Sequence, residues 1–147
     1  MSEIEFDPDE ITLAIEKDVV DIIRQDAANI LRSVIFVTPV GRPELWQMPA
    51  PETYTPGHAR RNWQVNIGTP SGRELPGQDR IGTAALSNGI SKLRAYRRLQ
   101  PIYIENNVPY INRLNQGWST QAPPRFVEKA IQTAGVRSNA TVDKKEI

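Results

Sequence analysis

The sequence predicts an α+β domain in which a long N-terminal helix packs with further helices against a small antiparallel sheet. Three observations carry that expectation. Apolar residues recur at three- and four-residue spacing through the first quarter of the chain. Two short stretches, 61–67 and 101–105, alternate apolar and polar residues as half-buried strands do. The order helix, strand, helix, strand, helix lacks the regular alternation and the glycine-rich phosphate loop of a parallel Rossmann-like sheet. A chain of 147 residues suits one domain with a real core. We expect that domain to span 1–135 and to be followed by a flexible tail over 136–147, which has no packing pattern.

The first helix is expected over 8–36. Asp7 can accept the free backbone donors of a helix start, Pro8 suits the first helical position, and Glu10 follows Asp7 at the spacing of a capping box. Ile11, Ile15, Val19, Ile22, Ile23, Ile30 and Val34, with Ala14, Ala27 and Leu31 alongside, read as one apolar stripe. Thr38-Pro39 and then Gly41 end it, because proline cannot donate to the helical ladder. At 1.5 Å per residue the helix is roughly 42 Å long, so either its N-terminal half projects toward a neighbour or a kink near Asp26 folds it into two.

Residues 39–58 form a proline-rich loop in which Trp46 is either an exposed contact anchor or a ring folded over the core. In the strand over 61–67, Trp63, Val65 and Ile67 share a face. Gly68, Pro70, Gly72, Pro76 and Gly77 mark 68–81 as a loop. A helix over 84–98 turns Leu86, Ile90, Leu93 and Tyr96 to the core, with Gly89 costing some helical propensity. The strand 101–105 places Ile102 and Ile104 opposite Tyr103. Asn106-Asn107 then turns the chain into a short helix around 109–114, for which Asn107 is the expected cap, and Gly117 ends it. A last helix runs over 124–134 and is closed by Gly135.

The charge is uneven. Eighteen Lys and Arg face seventeen Asp and Glu overall, yet residues 1–26 hold nine acids against Lys17 and Arg24 alone. An acidic first element on a basic body suits head-to-tail contact between copies; a solvated acidic face explains it equally well. Asp18 and Asp21 are the first-helix residues we single out for contact, with Arg94, Arg97 and Arg98 as their basic counterparts on the middle helix. The chain has no cysteine, which excludes disulfides and thiolate chemistry. No apolar run is long enough to cross a bilayer, and the acidic start lacks the basic region of a signal peptide, so no membrane partner is expected. His58 is the sole histidine, without a spaced ligand cluster, and no serine lies in a nucleophile-elbow pattern. We therefore expect no enzyme, no metal and no cofactor. Arg60, Arg61, Lys92, Arg94, Arg97 and Arg98 with Tyr96 and Tyr103 leave open a small nucleic-acid-binding module.

Two blocks of sequence carry a resemblance. The first is Val37-Thr38-Pro39-Val40 and, after the proline-rich insertion, 55–65 with Thr55, Pro56, Gly57, Arg60, Arg61 and Trp63. The second runs from Tyr103 through Asn107, Val108, Pro109 and Tyr110 to Leu114, Gly117, Ser119, Pro123, Phe126 and Val127. In order and spacing they resemble the tail-completion, or head-tail joining, proteins at the neck of tailed bacteriophages. That family usually runs directly from its proline to an Asp-Thr-Gly turn, whereas here a dozen or more residues intervene.

The resemblance implies a ring of identical subunits, commonly six, around the DNA conduit between the connector or head-closure protein and the tail terminator or tail tube. It implies a virion component assembled in the host cytoplasm, near genomic DNA without reading its bases. A tail-terminator or head-closure role is the neighbouring alternative. Pro39, Gly57, Trp63, Asn107, Pro109, Tyr110, Gly117 and Pro123 would maintain the fold.

Overall fold

The computed structural model describes residues 3–5, 7–41, 47, 49, 52, 55–119 and 121–135. Seven elements follow one another: α1 (Pro8–Val37), α2 (His58–Arg61), β1 (Gln64–Ile67), α3 (Thr83–Arg94), β2 (Ile102–Glu105), α4 (Ile111–Asn115) and α5 (Phe126–Thr133). The fold is α+β: the long first helix packs against α3 and α5, and the two strands form an antiparallel sheet on the same body. Trp46, most of the proline-rich loop and the tail 136–147 lie outside the described residues.

Helix α1 starts as its sequence requires. The Asp7 carboxylate accepts from the Asp9 amide at 2.9 Å, and Pro8 opens the helix. It runs unbroken to Val37, so it is not divided into two helices near Asp26. At its end both the amide and the hydroxyl of Thr38 turn back to the Val34 carbonyl. The buried Thr38 hydroxyl in turn accepts from the Trp63 indole at 2.7 Å, which ties the helix end to the entry of β1.

The apolar stripe is not one face. Ala27, Ile30, Leu31, Val34 and Ile35 enter the main core, but Ile11, Ile15 and Val19 are 50%, 59% and 37% exposed. Spacing of four overshoots a helical turn by about 40° each time, so the ladder 11, 15, 19, 23, 27, 31, 35 winds around the cylinder. Its first three members therefore point about 130° away from the core-facing residues. From residue 8 to 19 every side chain is exposed except the partly covered Glu16. The first three turns thus form an arm of about 18 Å that the body does not cover.

In the sheet, Val65 pairs with Ile104 and Ile67 with Ile102, which turns the aliphatic face to α1 and α3. Gly89 of α3 lies where a Cβ would come 2.3 Å from Leu31 Cδ2 and 3.1 Å from Val65 Cγ2. It is therefore the residue that lets α3 lie close to α1, rather than a tolerated weakness in the helix. A second cluster joins Ala59, Val108, Tyr110, Leu114, Ala122 and Phe126. The α4–α5 corner is held by Asn115, whose buried side chain accepts from the Val127 amide and donates to Glu128, at 2.9 Å each. It thereby satisfies one of the free donors at the start of α5.

Several boundaries differ from expectation. Arg61 closes α2 instead of opening the strand, since Gly57 in the left-handed region starts a helical turn that pairing delays until Gln64. The middle helix ends at Arg94, before Arg97 and Arg98. There Arg24, from α1, donates its Nε to the Leu93 carbonyl at 3.0 Å and a terminal nitrogen to the Tyr96 carbonyl, supplying a cation to the helix's negative end. Tyr96 is still buried, as its spacing from Leu93 indicates. Asn107 does not cap the next helix: α4 begins at Ile111 with Tyr110 in the capping position and no side-chain cap. Asn107 instead donates to Arg73 and Glu105, and it is Asn106 that accepts from the Val108 amide. Pro109 is exposed and precedes the helix rather than starting it.

Candidate interaction surfaces

The polar face of the sheet is closed by the chain's own loop. Glu105 of β2 accepts from Asn66 Nδ2 at 2.9 Å, Ser71 N and Oγ at 3.0 Å, Gly72 N at 2.9 Å and Asn107 Nδ2 at 2.7 Å. A carboxylate has roughly four lone-pair sites, so this one is saturated by loop and sheet. Asn62, fully buried, completes the clamp: it accepts from the Leu75 amide at 2.6 Å and donates to the Leu75 and His58 carbonyls at 3.0 Å. The lone histidine is used the same way, its ring nitrogens lying 2.6 Å from the Gly77 carbonyl and 2.7 Å from Glu74. Among the described residues no group of three His, Cys, Asp or Glu is arranged to hold a metal, and no helix is long and apolar enough to cross a membrane.

Burial alone would raise the Glu105 pKa, but the bonds from Asn107, Gly72, Ser71 and Asn66 outweigh it and hold the carboxyl below its ordinary 4.5. The native state then binds fewer protons than the unfolded one just below that value, so stability rises with pH there. The Glu105 contribution is complete above the unfolded range and is lost as pH falls through the folded value. Chemical denaturation as a function of pH will show an acid-side loss that becomes shallower in Glu105→Gln. An unchanged acid limb would deny the clamp its electrostatic part.

A half-buried cation, Arg60, organises the C-terminal end of α1. Arg60 donates to the Arg80 carbonyl at 2.7 Å, to Thr38 at 2.8 Å and to Phe36 at 3.3 Å. Burial lowers its pKa from the ordinary guanidinium value, against the opposing pull of Asp79. Asp79 itself accepts from the Gly82 and Ala85 amides at 2.8 and 2.9 Å, so it caps α3 from outside. The last turn of α1 carries no basic residue. The helix end is therefore stabilised from a distant segment.

The residues singled out for contact fall into two groups. Asp18 and Asp21 are exposed on α1, with Asp21 held by Arg24 at 3.1 Å. Arg94 is exposed in the last turn of α3, and Arg97 and Arg98 are exposed in the turn beyond it. Asp21 holds Arg24, which reaches the end of α3, yet no ion pair joins Asp18 or Asp21 to Arg94, Arg97 or Arg98 among the described residues. Beside Arg94 the outer face of α3 forms a shallow open trough, in which half-buried Leu86 and Ile90 lie between Thr83, Ser87 and Ser91, all from this one helix. Sequence reasoning missed this trough because Leu86 and Ile90 were assigned wholly to the core; they are only half-buried.

Pro39 and Trp63 are buried at the α1 exit. Gly57, at φ 85°, leaves no room for a Cβ beside Arg80, and Gly117, at φ 89°, leaves none beside Pro124. The Tyr110 ring is buried in the second cluster, whereas Pro123 is exposed on the rim of a shallow groove with Gln47 and Pro124. Compared with family models, curated proteins and solved structures, the chain gives no match to any of them.

Proposed function

We propose that this chain is a structural protein of the phage neck, which completes the proximal end of the tail and joins it to the head connector as part of a ring around the DNA conduit. The observation that carries this reading is the α1 arm. Three helical turns expose Ile11, Leu13, Ile15 and Val19 on one uncovered element, whereas the apolar exposures on the body, Phe36, Val37, Ile81 and Leu99, are spread over several elements. Apolar side chains on an uncovered helix are stabilised only when another surface covers them, which is the condition of an assembly part.

The two motif blocks also support it. Block one meets block two through β1–β2 pairing, through Asn106 donating to the Ala59 carbonyl at 2.8 Å, and through the cluster around Tyr110 and Phe126. Their resemblance to tail-completion proteins therefore concerns one continuous body rather than scattered turns. The function is mechanical: the chain offers a docking surface and keeps the conduit continuous.

The deciding experiment is light scattering of the purified chain with the cognate connector and, separately, with the cognate tail. A stoichiometric complex with either is the expected result. A chain that ignores both and instead binds DNA with a salt dependence abolished by neutralising Arg94, Arg97 and Arg98 would replace this reading with the nucleic-acid module.

A further inference from the structure

We propose that the α1 arm of one copy seats on the α3 trough of a second copy, head to tail. The contact deepens the neck reading and rests on it for ring closure, but the surfaces themselves are defined by this chain alone. On the donor side, Ile11, Ile15 and Val19 form a stripe whose edges are marked by Asp18 and Glu16, as 3.6 residues per turn require. On the acceptor side, Leu86 and Ile90 floor an apolar trough that ends at Arg94, with Arg97 and Arg98 just beyond.

Three features make a second copy the occupant. The charges are complementary: the arm over 8–19 carries Asp9, Glu10, Glu16 and Asp18 against Lys17 alone, while the trough's end presents three exposed arginines. The lengths match, because the uncovered arm from 8 to 19 and the twelve-residue α3 each extend about 18 Å. Within one copy the two cannot meet. The arm's stripe points about 130° from the side of α1 that faces the core, and α1 is a single unbroken helix through to Val37. An arm and a trough on one molecule are two different surfaces, so each copy can give one contact and take another. That is the heterologous arrangement from which closed rings are built.

The absence of native cysteine makes the contact directly readable. Chains carrying Ile15→Cys are mixed with chains carrying either Ser87→Cys or Ser91→Cys and oxidised mildly at concentrations where scattering shows association. The expected product is a disulfide between the two different chains. Leu13→Cys, on the other side of the arm, should give little. In the full-length protein Ile15→Asp should weaken self-association about 10- to 100-fold, and Arg97→Gln with Arg98→Gln should remove most of its sensitivity to salt. All six sites are exposed, so unchanged circular dichroism and melting will separate a lost contact from a lost fold.

Disulfides between two Ile15→Cys arms would overturn the proposal in favour of arm-to-arm pairing. A monomer at every concentration that nonetheless binds the connector or tail would also overturn it, while leaving the neck reading standing. The reverse result, arm-to-trough crosslinks in a chain that binds neither neighbour, would keep this contact and remove the neck assignment.

Discussion

Replacing Leu31 and Gly89 with alanine together will cost less stability than the two single replacements added. Leu31 is fully buried on α1, and deleting its branched end leaves a cavity worth about 2–5 kcal/mol. Gly89 is an unusual helical glycine. Where its backbone is solvent-exposed, glycine in a helix is improved by alanine by about 0.5–1 kcal/mol. Here the added methyl would sit 2.3 Å from Leu31 Cδ2, so Gly89→Ala is expected to destabilise by about 1–3 kcal/mol. In the double variant the methyl occupies part of the space that Leu31 vacates, and the coupling should reach about 1 kcal/mol or more. Urea unfolding of the four proteins measures it. Strict additivity would mean that α1 and α3 do not approach through this pair.

Arg60→Met is expected to cost about 2–3 kcal/mol. Methionine keeps an aliphatic stem where Arg60 Cδ lies near Gly82, but it leaves the Phe36, Thr38 and Arg80 carbonyls without their donor. Arg60→Lys retains a charge but not the planar fork that reaches several carbonyls at once, so it should recover only part of the loss. Because the group is partly exposed, water will satisfy some of what is lost, which is why the expected figure stays below the sum of three bonds. Equal stability of all three proteins would show that solvent caps α1 as well as the guanidinium does.

These two sites show what could be read in the sequence and what could not. The start of α1 was legible because Asp7, Pro8 and Glu10 act on their own neighbours, and its length followed from unbroken periodicity. The strands were legible from alternation in Val65, Ile67, Ile102 and Ile104. The direction of the apolar residues was not, because residues four apart look like a single stripe until the 40° drift is accumulated along the helix.

The end of α3 was hidden for a different reason. Tyr96 continues the apolar spacing, so the pattern extends past Arg94, and the guanidinium that takes the Leu93 and Tyr96 carbonyls comes from Arg24 about seventy residues away. The same holds for the loop over 68–81. Its glycines and prolines announce a loop, but its order depends on Asn62 and Glu105, which reach it from the sheet and its entry and not from neighbouring positions in the chain. Asn107 illustrates the limit of local rules. It has the composition of a cap, yet a carboxylate two residues earlier offers it a stronger partner.

The winding ladder on α1 also makes helix length a setting for direction. Moving back along it by one step of four residues lengthens the reach by about 6 Å and turns the sticky side by about 40°. The body of the protein and the trough stay as they are while the bearing of the next molecule changes. A family of such chains could therefore alter the curvature of whatever they build by inserting or removing residues near the front of one helix, with no change in the surface that grips. In this chain that bearing is fixed by the twelve residues from Pro8 to Val19, which act as a gauge as much as a handle.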